Sequence, residues 1–330
     1  MNNTLKMKTV LVTGAAGFIG ARTADLLLER GVKVVGVDNM NDYYNPMVKE
    51  YRLSRLKNER NFHFYQADIE NLEELMPLFE KYSFDGVINL AARAGVRWSL
   101  VDPFVYVRTN TLGTTNLLEL MRRHRVKKFV LASTSSLYAG QKMPFIETLP
   151  VNEPISPYAA SKKGAEAMAY TYHYLHKIDV TILRYFTVYG PAGRPDMSVY
   201  RFIRWIEDGD TMEVFGDGTQ MRDFSFVDDI ARGTVAAVKK CTGYEIINLG
   251  GNKPYELNYA ISLIEENLGS KAKIERKPFH KADMMATWAN VEKARTILGW
   301  KAEVNFEEGI RRTVNWHREN REWLKKIPLP

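Results

Sequence analysis

Val10-Leu11-Val12-Thr13-Gly14-Ala15-Ala16-Gly17-Phe18-Ile19-Gly20 sets the fold. A short apolar strand runs into a glycine turn, and a helical apolar pattern follows over residues 19–29. Glycines at 14, 17 and 20 let the backbone approach a pyrophosphate, with Phe18 and Ile19 beside them. The helix start supplies free N–H groups and the positive end of a dipole. The spacing is G-x-x-G-x-x-G, not the G-x-G-x-x-G of other dinucleotide folds. A second strand over residues 32–37 ends at Asp38, 18 residues after Gly20. A carboxylate there accepts hydrogen bonds from ribose hydroxyls and repels a 2′-phosphate, which favours NAD over NADP. Arg22 is the residue that speaks for the phosphate.

Further strand candidates lie at residues 62–66, 86–90, 129–132 and 180–184, with helices over 111–124 and 158–176. Short β-branched runs alternating with helical patterns make βαβ units. The expected fold is α/β: a doubly wound, Rossmann-type parallel sheet with a smaller mixed α/β C-terminal lobe. Past Tyr185 the pattern loosens at Gly190-Pro191-Ala192-Gly193-Arg194-Pro195. The expected division is residues 1–185 for the dinucleotide domain and 186–330 for the substrate lobe, with late segments free to return to the first sheet.

The chain has 330 residues, 45% apolar and 26% charged, which excludes a disordered, collagen-like or disulfide-stapled chain. The net charge of +7 comes from basic residues interleaved with acids, without the aromatic-laced basic stripe of a nucleic-acid binder. Cys241 stands alone and cannot form an internal bridge, in keeping with a reducing cytoplasm. There is no apolar run of membrane-spanning length, and Met1-Asn2-Asn3-Thr4-Leu5-Lys6 lacks the apolar core of a secretion signal. No paired His/Cys spacing suggests a metal. Cys241 and Trp300 read as structural.

Ser156-Pro157-Tyr158-Ala159-Ala160-Ser161-Lys162 holds Y-x-x-x-K at the start of a helix. Residues i and i+4 share a face. An ammonium beside a phenol favours the phenolate and lowers the tyrosine pKa. Such a tyrosine takes a proton from a substrate hydroxyl as hydride leaves the carbon. Y-x-x-x-K alone is common by chance; the glycine turn and Asp38 give it meaning. Upstream, Ser133-Thr134-Ser135-Ser136 follows a strand, where open α/β sheets bind ligands.

Together these residues resemble the extended short-chain dehydrogenase/reductases, and within them the nucleotide-sugar 4-epimerases. Asp68-Ile69, Asn89-Leu90-Ala91-Ala92, Asn110 with Gly113-Thr114, Tyr185-Phe186-Thr187-Val188-Tyr189-Gly190 and Arg222-Asp223-Phe224 extend the likeness over nearly the whole chain. The resemblance implies a bound NAD, Tyr158 as acid/base, Lys162 as its partner and Thr134 in the third catalytic position. It implies cofactor contacts from Gly14, Gly17, Phe18, Ile19, Gly20, Asp38, Asn39, Leu90, Ala91, Ala92, Asn110, Ser133, Tyr185 and Val188. Asp68 and Ile69 would meet the adenine, Arg222 the substrate diphosphate, and Asp283 the substrate. The helices at 111–124 and 158–176 resemble those that pair across a family homodimer as a four-helix bundle.

The likeness is greatest to UDP-glucuronate 4-epimerases, through Asp38-Asn39-Met40-Asn41-Asp42-Tyr43-Tyr44, Ala94-Gly95-Val96-Arg97-Trp98-Ser99, Thr187 and Gly193-Arg194-Pro195-Asp196-Met197. A uronic acid oxidised at C4 is a β-keto acid and loses CO2 when its scissile bond stands perpendicular to the carbonyl plane. An epimerase must hold the carboxylate out of that alignment. Hydroxyls plus a guanidinium fork would do so, and Thr134, Ser135, Ser136, Thr187 and Arg194 are the candidates. Arg97 suits either the carboxylate or the diphosphate. Related decarboxylases and dehydratases carry an acid directly after the catalytic hydroxyl; Ser135-Ser136 stands there instead. The usual Arg-x-Gly-Asp reads His280-Lys281-Ala282-Asp283, and Asn89 and Arg93 also depart from the pattern. The alternatives are a UDP-glucose or UDP-N-acetylglucosamine 4-epimerase with the same machinery, and a non-catalytic NAD sensor.

Overall fold

The structure, a computed structural model, describes residues 7–279 and 284–329. Its main sheet uses β1 (Thr9–Thr13), β2 (Lys33–Asp38), β3 (Phe62–Gln66), β4 (Gly86–Asn89), β5 (Lys128–Thr134) and β6 (Asp179–Tyr185). Strand β7 (Thr187–Tyr189) follows directly, then β8 (Thr211–Phe215), β9 (Met221–Phe226), β10 (Tyr244–Leu249), β11 (Pro254–Glu256) and β12 (Lys273–Lys277). The seven-stranded sheet has the order β10-β6-β5-β4-β1-β2-β3, and every pairing in it is parallel. Parallel strands need crossovers, and helices Phe18–Leu28, Met47–Leu56, Leu72–Lys81 and Gly113–Arg123 supply them.

Two apolar cores cover the two faces of the sheet, one around Val10, Val12 and Ile88 and the other around Leu11, Val35 and Val87. Alternate side chains of β1 point into opposite cores, as the two-residue period of a strand requires. Helix Val227–Lys240 packs beside Phe18–Leu28, and β10 adds to β6 with Tyr244 opposite Val180. This late segment returns to the large sheet. Cys241 ends that helix as a buried thiol, and the Trp300 indole donates to the Asp229 carbonyl at 2.7 Å.

The remaining residues build a smaller layer: the sheet β11-β9-β7, the pair β12-β8 and helices Ser198–Asp208, Leu257–Leu268 and Phe306–Glu319 around a third core. The helix expected at residues 111–124 begins earlier, with a wide π-type stretch, Val107–Leu112, ahead of Gly113–Arg123. Helix Pro157–His176 is capped by Ser156, whose hydroxyl accepts from the Ala159 N–H at 3.2 Å, with proline in the first turn.

Candidate active site

Residues after β1 and β4, and at the ends of β2, β5 and β6, line one cavity of about 760 Å³. This is the carboxyl edge of the sheet, where open α/β folds bind ligands. Gly14 holds φ +69° with its α-carbon against the backbone of Leu90 and Ala91; a Cβ there would meet Ala91 N at 2.7 Å. A Cβ on Gly20 would meet the Gly14 carbonyl oxygen at 1.9 Å. Positions 14 and 20 are therefore closed to a side chain, and Gly14, Gly17, Phe18, Ile19 and Gly20 line the cavity edge.

Asp38 is buried at the tip of β2. Its carboxylate accepts from Ala16 N–H at 3.2 Å and Met40 N–H at 2.9 Å. Lys49, also buried, lies 3.5 Å away. Burial pushes the Lys49 ammonium below its ordinary value, and the charge of Asp38 pulls the other way. The Asn39 amide donates to Asp68 at 2.8 Å, which joins two expected contacts in one wall with Ile69. Arg22 is committed elsewhere: it donates to Asp228 at 2.8 Å and pairs with Asp25 and Glu29. The phosphate-binding role it suggested is not supported. A glycine turn on a helix start, a ribose-type carboxylate and an apolar wall fit an NAD-type dinucleotide.

Leu90, Ala91, Ala92, Ser133, Tyr185 and Val188 line the same cavity. Asn110 does not. It is buried behind the wall, donating to the Arg93 carbonyl and Ser161 Oγ at 2.9 Å each and accepting from Arg93 N–H at 3.0 Å. These bonds tie the loop after β4 to the tyrosine helix.

Tyr158, Lys162 and Thr134 meet at the cavity floor. Lys162 is 4% exposed, and its Nζ donates to the Ala132 carbonyl at 2.9 Å. Burial lowers its pKa to about 8, opposed by the nearby Glu166 carboxylate. The phenol of Tyr158 is raised by burial; a hydrogen bond with Thr134 and the charge of Arg194 offset part of that rise. The sequence led us to expect a phenol lowered by its lysine. In the structure desolvation outweighs every favourable contact, and Thr134 is the hydroxyl that counters it. Thr134 Oγ1 also accepts from Ser136 N–H and donates to Ser136 Oγ, both at 3.1 Å. The Ser133 hydroxyl is donated to Glu166 at 2.6 Å.

Arg97, Ser135, Ser136, Thr187, Arg194 and Arg222 line the cavity beyond the tyrosine. Arg194 is bidentate to Asp196, with Nε to Oδ1 at 3.0 Å and NH2 to Oδ2 at 2.5 Å, and stands 5.6 Å from the Tyr43 ring centre. Arg97 stacks on Phe215 at 3.9 Å. Sequence reasoning missed Lys49, Phe215 and Trp205 as wall residues. Lys49 carried a signal, since a lysine one helix after Asp38 can reach it; the two aromatics carried none. His280 and Asp283 lie outside the described residues. Among the described residues no cluster of metal-ligating side chains occurs, and no helix is long and apolar enough to cross a membrane.

Comparison with known proteins agrees with this geometry. The UDP-glucuronate 4-epimerase of Thermodesulfobacterium geofontis is 58% identical over 320 residues, covering 97% of this chain and 99% of its own. The crystal structure of UDP-glucuronic acid 4-epimerase from Bacillus cereus, with UDP-glucuronic acid and NAD, is 36% identical with a TM-score of 0.90, over 94% of this chain and 99% of that one. UDP-glucose 4-epimerase of Thermotoga maritima with UDP-glucose is 32% identical with a TM-score of 0.85, over 94% and 99%. The family model of GDP-mannose 4,6 dehydratase matches residues 11–313, and the chain belongs to that family of extended short-chain dehydrogenase/reductases.

Proposed function

We propose that this protein is a UDP-glucuronate 4-epimerase that uses bound NAD to interconvert UDP-glucuronate and UDP-galacturonate. The observation that carries this reading is one cavity that joins Tyr158, Lys162 and Thr134 to a guanidinium, Arg194, and the hydroxyls of Ser135, Ser136 and Thr187. Bound NAD supplies a hydride acceptor and donor for C4. Tyr158 takes the C4 hydroxyl proton and later returns it, with Thr134 holding the phenolic oxygen. Lys162 contributes positive charge close to the phenolate from its seat on the Ala132 carbonyl. Between the two transfers the 4-keto sugar turns its other face, so C4 is inverted without net redox change.

During that turn the C5–C6 bond must be kept from standing perpendicular to the C4 carbonyl plane. Arg194 and the hydroxyls do this through charge-assisted hydrogen bonds. Ser135 and Ser136 cannot protonate a leaving hydroxyl or a carbanion as an acid would, which leaves dehydration and decarboxylation unassisted. Arg97 and Arg222 serve the diphosphate. The cofactor domain is residues 1–185 together with the returning segment, and the later residues form the sugar-nucleotide lobe.

The competing reading is an epimerase of UDP-glucose or UDP-N-acetylglucosamine. Incubating the protein separately with UDP-glucuronate, UDP-glucose and UDP-N-acetylglucosamine decides between them by chromatography. UDP-galacturonate without UDP-pentose is expected; UDP-galactose alone would overturn the assignment. Arg194→Ala should reduce turnover of UDP-glucuronate far more than of UDP-glucose.

The proposal extends to a cytoplasmic homodimer. Support for the dimer is the exposed apolar surface on the helices concerned, with Tyr174 63%, Leu175 60% and Tyr170 51% exposed on Pro157–His176 and Leu112 46% exposed just ahead of Gly113–Arg123. Support for the compartment is a lone thiol, buried and unbridged. Sedimentation showing only monomer at working concentration would count against the dimer.

A further inference from the structure

Arg52, on helix Met47–Leu56, is 3% exposed, and its guanidinium is spent on neutral acceptors. Its Nε donates to the Ala192 carbonyl at 2.8 Å and its NH2 to the Gly193 carbonyl at 2.9 Å. Its NH1 donates to the Ala16 carbonyl at 3.2 Å and to the Tyr44 hydroxyl at 2.7 Å. Interior charges are ordinarily paired, because desolvating one is costly. This one instead bonds three separate segments: the glycine turn at Ala16, the loop after β2 at Tyr44, and the turn that precedes Arg194.

That last turn is strained. Ala192 sits at φ +55°, the left-handed region that side-chain-bearing residues rarely occupy. Arg52 holds its carbonyl and the next. One residue on, Arg194 leaves the turn and grips Asp196. The guanidinium that faces the substrate is thus fixed at its tip by Asp196 and at its root by Arg52, and the root is tied to the turn that cradles the cofactor.

We infer that Arg52 is a positioning residue for C6 selectivity: it locks the Ala192–Gly193 turn to the dinucleotide turn and so sets where Arg194 stands relative to the cofactor. The inference rests on the carboxylate role given to Arg194 above. With the turn released, the ring of the 4-keto sugar can pucker so that its C5–C6 bond stands perpendicular to the C4 carbonyl plane. The C5–C6 bond then breaks, CO2 leaves, and the electron pair passes to C5 as the enolate of the C4 ketone. Water protonates C5, and return of the hydride to C4 completes a UDP-pentose.

The test uses Arg52→Lys and Arg52→Gln. Lysine keeps the charge but cannot span four acceptors from one nitrogen; glutamine is planar and uncharged. Both are assayed with excess NAD, which favours the folded form by mass action. The readout is kcat/KM for UDP-glucuronate over that for UDP-glucose, with UDP-pentose followed by chromatography. The ratio should fall about ten- to a hundredfold in both variants, the scale on which small misplacements cost rate, and UDP-pentose should appear. Combining Arg52→Lys with Arg194→Ala should lower the ratio no further than Arg194→Ala does alone, since one residue acts through the other.

Equal losses on both substrates without UDP-pentose would reduce Arg52 to a structural role and overturn the inference. So would an unaltered lysine variant beside a damaged glutamine one, which would make charge the whole effect. If Arg194→Ala itself harms both substrates equally, the carboxylate reading fails first. If Arg194→Ala is selective and the Arg52 variants are not, only the present inference fails. Should Arg52→Lys not fold, Arg52→Gln carries the same comparison.

Discussion

Glu166 and Arg184 grip each other at two points, Nε to Oε1 at 3.0 Å and NH2 to Oε2 at 2.8 Å, with both side chains sealed from solvent. Glu166 follows Lys162 by one helical turn, and the same carboxylate takes the Ser133 hydroxyl. Arg184 lies beside Ser133 in the sheet and donates onward to Tyr138 at 2.9 Å. The pair therefore braces the strand end that presents Thr134. Glu166→Gln strands the arginine charge in the interior and should cost about 3–5 kcal/mol of stability. Adding Arg184→Met removes that charge, leaves Tyr138 its bond to Asn248, and should restore most of the loss. Denaturant melts decide: a single variant within about 1 kcal/mol of wild type would mean the pair is not holding the strand.

The Thr134 hydroxyl and the Tyr158 phenol make a pH prediction. Burial raises the phenol, and Thr134 pulls it back. Without that hydrogen bond the Tyr158 pKa rises further. With the phenolate as base, as proposed, the acid limb of kcat/KM should move to higher pH in Thr134→Ala, with rate lost near neutrality and largely regained at alkaline pH. Thr134→Ser keeps the hydroxyl and should keep the limb in place. A uniform loss at every pH would point to a contact with the sugar alone.

The contrast between Gly14 and Lys162 shows what a sequence can carry. The turn at Gly14 is a local matter of backbone clashes, so strand, glycine spacing and helix start were readable together, as were β2 and the Asp38 at its tip. Strand β5 was underread by its last two residues because Ser133 and Thr134 are polar and buried, with partners from distant segments. The electrostatics of Lys162 were not legible at all. Y-x-x-x-K places the ammonium near the phenol, but the depth of burial that moves both groups depends on every layer above them. The partners of Asn110 were not legible for a related reason: only the packing of residues 93 and 161 against it shows where its amide bonds. The return of Val227–Lys240 to Phe18–Leu28 joins residues some two hundred positions apart, and no periodicity encodes that.

Lys49 alters what Asp38 alone would do for cofactor choice. The two charges sit 3.5 Å apart in a buried corner, with Arg22 tied up by Asp228 and unable to help a phosphate. Asp38→Asn removes the repulsion toward a 2′-phosphate and leaves the ammonium uncompensated. NAD binding should weaken and NADP binding strengthen, shifting the preference by roughly ten- to a hundredfold, the 1.5–3 kcal/mol range of a hydrogen bond to a charged group. Adding Lys49→Met should erase the gain for NADP while the loss for NAD remains. Titration of cofactor-stripped protein with each dinucleotide measures both; NADP binding that survives Lys49→Met would remove the lysine from the account.

His317 sets a stability slope at acid pH. It is wholly buried on Phe306–Glu319, edge-on to Tyr200 at 4.6 Å, with neither ring nitrogen hydrogen-bonded among the described residues. Burial, aided by the charge of Arg204, lowers its pKa to about 3. In the unfolded chain it titrates near the ordinary value of about 6.5. The folded form stays neutral while the unfolded form gains a proton, so the stabilisation is complete above that value and is lost as pH falls, at about 1.4 kcal/mol per unit. Asp223 slopes the other way: burial raises it to about 7 against the backbone N–H groups that hold it, so its contribution declines as pH rises toward neutrality. The two overlap in wild type and separate in a difference. The stability of wild type minus that of His317→Phe cancels Asp223 and should fall steadily from pH 6 to pH 4, by about 1.4 kcal/mol per unit. Parallel stability curves for the two proteins would show that the imidazole is reached by a proton or a water in the folded state.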